Sequence, residues 1–251
     1  GPPFRGSFEA ALKLTAGTAD LGMNDSSSRD REAARVTPSL YQILPTCPEI
    51  EVDSGLPNTI FDPGFWQPGV LRTIEEYMRL HGVDQRNYRQ KAMKLFHALL
   101  NGGKENQDRI NKFGLAEAGL TTKDWLCVVG VNSQTRVRLK VTNTPAGPLF
   151  QLQSADRVNL WASETDPLKR RLTGDGTVPF ESAIPPFLKL ENLVCVTPDD
   201  FGYWEVQDKL TAKAAGFHGM LPNMDMVHRL IVRHFTSAPD QHGNTWGRCA
   251  P

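Results

Sequence analysis

The chain has 251 residues, 39% of them hydrophobic and 22% charged, which is long enough to bury a sizeable core as one domain with a cap. Its 28 basic and 28 acidic residues balance to a formal net charge of zero, and no basic stripe appears, so nothing in it predicts a nucleic-acid partner. No apolar run approaches the roughly 18 residues of a membrane span, so no transmembrane segment is expected.

The N-terminal Gly1-Pro2-Pro3-Phe4-Arg5-Gly6 lacks the layout of a signal peptide and has no initiator Met, so a processed chain or part of a longer one is expected. Ser7 is placed to cap a short helix over Phe8 to Ala16, stopped by Gly17. Residues 18–35 are polar and read as a solvated loop or a helix start. The prolines Pro38 and Pro45 bracket a short helical turn, and 46–68, rich in Pro, Gly, Asp and aromatics, read as irregular structure. Val70 to His81 carries Leu71, Ile74, Tyr77 and Met78 at helical spacing. Asn87 to Leu100 repeats the pattern with Ala92, Leu95, Phe96 and Leu99, and Gly102-Gly103 are expected to end it. A weaker helix follows over about 104–118.

The strand pattern begins at Trp125 to Val131, a continuous apolar run suited to a central parallel strand. Arg136 to Val141 alternates polar and apolar, as a half-exposed strand does. Leu149 to Leu152 and Val158 to Trp161 complete an expected antiparallel ribbon around the turn at Thr144 to Gly147. A short helix is expected over Ser182 to Lys189, a buried strand over Leu193 to Thr197, and a final helix over Met226 to Phe235 with Val227, Leu230, Ile231 and His234 or Phe235 on its packed side. The tail from Thr236 is polar.

Chemistry concentrates in two loops. Gly174-Asp175-Gly176-Thr177-Val178-Pro179 holds one carboxylate between two glycines and closes on a proline. Gly216-Phe217-His218-Gly219 presents a histidine in a small-residue loop. Acid loop, strand, histidine loop is the order in which an α/β-hydrolase presents the last two members of its triad. Asp175 is then the triad acid, and His218 the general base. The bland readings are a turn Asp bonded to its own loop and an ordinary surface His. His228 and His234 read as residues of the last helix, and His81 and His97 as structural.

Four stretches in order resemble the lecithin:cholesterol acyltransferase family of α/β-hydrolases: Gly1 to Ser7, the proline-bracketed Pro38 to Pro45, the acid loop at Asp175, and His218-Gly219. The likeness covers about residues 1–235. It implies an α/β fold: the C-terminal part of an α/β-hydrolase sheet, with a helical cap insertion and a small β-ribbon. Residues 1–21 and 121–240 would form the partial core, 22–120 the cap and 241–251 a polar tail. The departure is large, because no G-x-S-x-G nucleophile elbow occurs: Ser7, Ser54, Ser133 and Ser182 all lack it. The resemblance therefore implies that strands one to six, the serine and the oxyanion hole belong to a missing N-terminal half, and that the 251-residue chain alone is inactive.

The implied activity is that of a serine-dependent O-acyltransferase, esterase or lipase. It acts on lipid or other carboxylic esters through an acyl-enzyme, with an alcohol or water as acceptor. The alternative is a non-catalytic α/β-hydrolase-like binding or scaffold protein. Phe65 and Trp66, in Phe61-Asp62-Pro63-Gly64-Phe65-Trp66-Gln67-Pro68, have two readings: a substrate-facing cap loop, or anchors of the cap. Arg170-Arg171 reads as a solvated pair, with an anionic head group as the other possibility. Asp199-Asp200 has no matching ligand set and reads as a cap or turn. No metal or cofactor is expected. Cys47, Cys127, Cys195 and Cys249 show no zinc spacing and read as buried thiols. The absence of a disulfide pattern slightly favours the cytoplasm, and the compartment is otherwise open.

Overall fold

The computed structural model of the chain describes residues 2–16, 28–47, 49–82, 86–155, 173–188, 192–215 and 218–237. The expected strand at Val158 to Trp161, Arg170-Arg171 and Cys249 lie outside the described residues. In chain order the helices are α1 (Phe8–Thr15), α2 (Ser28–Arg35), α3 (Pro38–Gln42), α4 (Pro68–His81), α5 (Tyr88–Lys112), α6 (Phe180–Ala183), α7 (Val206–Ala215) and α8 (Asp225–Thr236). The strands are β1 (Ile50–Val52), β2 (Cys127–Gly130), β3 (Thr135–Thr144), β4 (Gly147–Ala155) and β5 (Leu193–Val196). The architecture is thus one of mixed helices and small sheets. Among the described residues no helix is long and apolar enough to cross a membrane.

The chain divides into two compact units. One comprises Arg5–Lys112 and Arg138–Gln153 and is mainly helical. Its first helix starts where Ser7 Oγ accepts the Glu9 N–H at 3.2 Å, and it buries Phe8, Ala11 and Leu14. Prolines at the first position open α3 and α4, where a missing N–H costs nothing. Val70 and Ile74 of α4, together with Ala92, Phe96, Leu99 and Leu100 of α5, face one core with Tyr41, Phe65 and Trp66. Fully burying each Val, Ile, Leu or Phe of this set contributes about 1.5–3 kcal/mol. The Arg35 guanidinium lies inside this unit and donates to Leu14 O (2.7 Å), Gly69 O (2.9 Å), Thr73 Oγ1 (2.7 Å) and Thr15 O (3.2 Å), which joins α1, α2 and α4. A three-stranded sheet in the order β1-β3-β4 completes it, with β1 parallel to β3 and Ile50 opposite Leu139. Along β3 the expected alternation holds, with Val137, Leu139 and Val141 buried.

Two expectations change here. The helix expected to stop at Gly102-Gly103 continues to Lys112, because Gly103 serves packing: a Cβ there would lie 2.3 Å from the Tyr41 carbonyl oxygen. The stretch 46–68 is not wholly irregular, since Ile50–Val52 gains strand structure by pairing with β3. Helix α1 packs in this unit's core, and most of the β3–β4 ribbon belongs to the same unit.

The other unit comprises Gly1–Phe4, Phe113–Val137 and Ser154–Pro251. At its centre β2 and β5 pair in parallel, Cys127 opposite Leu193 and Gly130 opposite Val196. Val129, Leu193 and Val196 are fully or almost fully buried, as suits a strand pair covered on both faces. The short helix after the acid loop is Phe180–Ala183, earlier than the expected 182–189, because it starts directly after Pro179. Helix α7 was not expected from the sequence. Helix α8 forms where expected, but it buries only Met226 and Val227 of its first turn, against Val196, Phe201, Leu221 and Met224. Ile231, expected on the packed side, and Val232 and Phe235 are exposed.

Candidate active site

The site lies wholly within the second of these units, beyond the carboxyl ends of β2 and β5. That is where open parallel sheets generally place their chemistry. After β2 the chain continues through Val131, whose N–H donates to Val196 O at 2.8 Å, to Ser133, whose N–H donates to Gly174 O at 3.0 Å. The acid loop is therefore fastened to the end of the strand pair.

The loop's two glycines are required for different reasons. A Cβ on Gly174 would fall 2.1 Å from the Val178 carbonyl oxygen. Gly176 has φ of 101°, a left-handed conformation that L side chains rarely adopt. Between them Asp175 is 1% exposed. Its Oδ1 accepts the N–H groups of Thr177 (3.0 Å) and Val178 (2.8 Å). Its Oδ2 lies 2.7 Å from His218 Nδ1. The His218 N–H also donates to the Asp175 carbonyl oxygen at 3.0 Å, so backbone and side chain both link the two loops.

Burial works to raise the Asp175 pKa, but the hydrogen bond with His218, the attraction of that histidine and the Val178 N–H outweigh it. The carboxyl is held below its ordinary value, and Asp175 is ionised at neutral pH. A carboxylate only accepts, so His218 Nδ1 carries the proton and donates it to Oδ2. In the neutral ring Nε2 then holds the lone pair. The His218 side chain is 40% exposed, whereas that of Asp175 is 1% exposed. The arrangement is a fixed, buried carboxylate orienting an imidazole whose other nitrogen can reach solvent or a substrate. This pairing contains both the turn bonds of the bland reading of Asp175 and the second oxygen's bond to His218.

The other sequence candidates separate from this pair. Phe65 and Trp66 are 0% and 3% exposed. Phe65 meets Phe150 edge-on and Trp66 meets it at a tilt, at ring distances of 5.4 and 5.3 Å, and Trp66 Nε1 donates to Ile60 O at 2.7 Å. They lie in the core of the helical unit. His228 Nε2 bonds Pro222 O at 2.7 Å, His234 packs edge-on to Phe235, and His81 contacts Tyr77. Asp200 caps its own turn, accepting from Thr197 N (2.7 Å) and Thr197 Oγ1 (3.0 Å), as read from the sequence. Among the described residues no cluster of three His, Cys, Asp or Glu is arranged to hold a metal ion. Cys47, Cys127 and Cys195 are buried and not disulfide-bonded, and burial pushes the Cys127 thiol up to about 11, far from nucleophilic at neutral pH.

Sequence reasoning missed the bend Asn132 to Thr135. Asn132 sits at a left-handed φ of 64°, and its Oδ1 and the Ser133 Oγ are buried without a hydrogen-bond partner. Thr135 Oγ1 donates to Ser133 O and accepts from Gly176 N–H, both at 2.9 Å. The available signal is a run of small polar residues directly after an apolar strand.

No family model and no curated protein matches the chain.

Proposed function

We infer that Asp175 and His218 are the acid and base of a serine-dependent acyl-transferring enzyme, an O-acyltransferase, esterase or lipase, of the kind the lecithin:cholesterol acyltransferase family represents. The observation that carries this reading is the 2.7 Å contact between Asp175 Oδ2 and His218 Nδ1, with Asp175 buried and His218 open to solvent. A structural Asp–His pair has no need for that asymmetry. A proton shuttle does, because the acid must stay fixed and ionised while Nε2 meets the reacting groups.

The steps follow from that geometry. His218 Nε2 accepts the proton of a serine hydroxyl as the serine oxygen attacks the ester carbonyl. Asp175 stabilises the resulting imidazolium without itself taking the proton. Collapse of the tetrahedral intermediate breaks the ester bond, and Nε2–H protonates the departing alkoxide. An acceptor alcohol or water then repeats the sequence on the acyl-enzyme. No cofactor enters. The serine and the oxyanion donors belong, on this reading, to a longer form of the protein, since the 251 residues contain no G-x-S-x-G.

The absence of that motif favours one competing reading, a non-catalytic binding or scaffold protein. Upstream coding sequence separates the two. A G-x-S-x-G within a few tens of residues before Gly1, and p-nitrophenyl ester hydrolysis by the longer chain that falls roughly 10³–10⁴-fold in Asp175→Asn and His218→Ala, support the enzyme. A longer chain without an elbow, or with hydrolysis indifferent to both substitutions, overturns it.

A further inference from the structure

We propose that Thr135 is a positioning residue for this site: its hydroxyl clamps the acid loop through Gly176 and so holds Asp175 in the orientation that engages His218. The inference rests on the acid–base reading of Asp175 and His218. Thr135 is 1% exposed and touches neither residue of the pair through any bond described.

Its hydroxyl is used in both senses. As acceptor it takes the N–H of Gly176, the residue immediately after Asp175, at 2.9 Å. As donor it reaches Ser133 O at 2.9 Å. Ser133 in turn gives its N–H to Gly174 O, immediately before Asp175, at 3.0 Å. The residues on both sides of the acid are thereby attached to one bend at the end of β2. The donor and acceptor roles are each filled once, so a hydroxyl is required and a methyl in its place satisfies neither.

The clamp also sits where it matters chemically. Gly176 has φ of 101°, a conformation that glycine visits but does not prefer over others, so its amide must be held from outside. The orientation of Gly176 sets where the Thr177 and Val178 N–H groups point, and these two amides fix Asp175 Oδ1 at 3.0 and 2.8 Å. With Oδ1 fixed, only Oδ2 remains for His218. Removing the Thr135 hydroxyl frees the Gly176 peptide, lets the Oδ1 bonds rotate and loosens the Oδ2 bond to the ring.

The test uses the 251-residue chain and proton NMR of its histidines. The His218 Nδ1–H, bonded to a buried carboxylate, gives a downfield, slowly exchanging signal that Asp175→Asn abolishes. Thr135→Val, which keeps the shape of the side chain, broadens or removes the same signal while the chain still melts cooperatively. Thr135→Ser, which keeps the hydroxyl, restores it. A Thr135→Val chain that keeps the signal unchanged overturns the inference. Should Thr135→Val fail to fold, hydrogen exchange in the unaltered chain decides. The Gly176 amide exchanges at least roughly tenfold more slowly than the exposed Gly219 amide if its hydrogen bond has ordinary strength, and equal exchange overturns the clamp. Absence of the downfield signal in the unaltered chain is a different failure. It removes the acid–base reading, while Gly176 protection reports on the clamp separately.

Discussion

The neighbouring glycines of α5 provide a test in which two chemically identical substitutions have opposite signs. Gly102 is half-buried but in open space, and a Cβ built on it meets nothing within 4 Å. Alanine there gains the ordinary helix-interior preference over glycine, up to about 1 kcal/mol. Gly103 is buried, and its Cβ would lie 2.3 Å from Tyr41 O, 2.9 Å from Tyr41 C and 3.0 Å from Phe61 Cε1. Ordinary contact begins at 3.4 Å, so α3 would have to retreat by about 1.1 Å (3.4 − 2.3). The clashing atom is main chain and has no rotamer to change. Tyr41 is itself fully buried, with its hydroxyl donating to Arg35 O at 2.7 Å. Overpacking of this kind costs about 1–3 kcal/mol, at the upper end where backbone must move. After the propensity gain, Gly103→Ala is expected to lose about 1–2 kcal/mol and to lie about 2–3 kcal/mol below Gly102→Ala. At about 2–4 °C per kcal/mol for a chain of this size, the two variants differ by roughly 4–12 °C in melting temperature. Urea and thermal denaturation followed by far-UV circular dichroism measure it. Equal stabilisation in both variants would refute the close approach of α3 to α5. Equal destabilisation in both would refute a helix running through this pair.

Asp175→Asn is expected to lower stability at pH 7 by about 1–3 kcal/mol, because the amide has a single acceptor oxygen and cannot serve both the Thr177 and Val178 N–H groups and the His218 Nδ1–H. The folded-state pKa of Asp175 is depressed, so its contribution is present above the unfolded carboxyl value near 4 and is lost as pH falls through the folded value. Urea titrations from pH 5 to pH 2 should show the gap between the chains closing as pH falls below about 4; a gap that stays open or widens over that range contradicts the assignment. Arg35→Lys should destabilise the helical unit by about 2–4 kcal/mol despite keeping the charge, since one ammonium cannot reach the four acceptors that the guanidinium fork spans. A lysine variant within 0.5 kcal/mol of the parent, a surface-type effect, would show that the fork is dispensable.

What could be read in the sequence was whatever local geometry decides. The period of Leu71, Ile74 and Met78 placed α4, the alternation of Val137, Leu139 and Val141 placed β3, and the apolar runs placed β2 and β5. Failures arose where a partner distant in sequence decides. Ile50–Val52 is a strand only because β3 lies beside it. Gly102-Gly103 looks like a helix stop until Tyr41 is seen against it. The apolar positions of α8 promise a packed face that the structure fills only over the first turn. The site divides along the same line. Asp175 stood out because glycine on either side of an acid is a local statement about backbone, and the structure gives each glycine its own reason. Pairing it with His218 was an inference from motif order, and the sequence held no distance. Thr135 was invisible because nothing in Asn-Ser-Gln-Thr indicates that its hydroxyl will meet the amide of Gly176 across 41 positions. A side chain that acts by holding another can be recognised only once both are placed. The chemistry of a site is therefore legible earlier than the framework that makes it work.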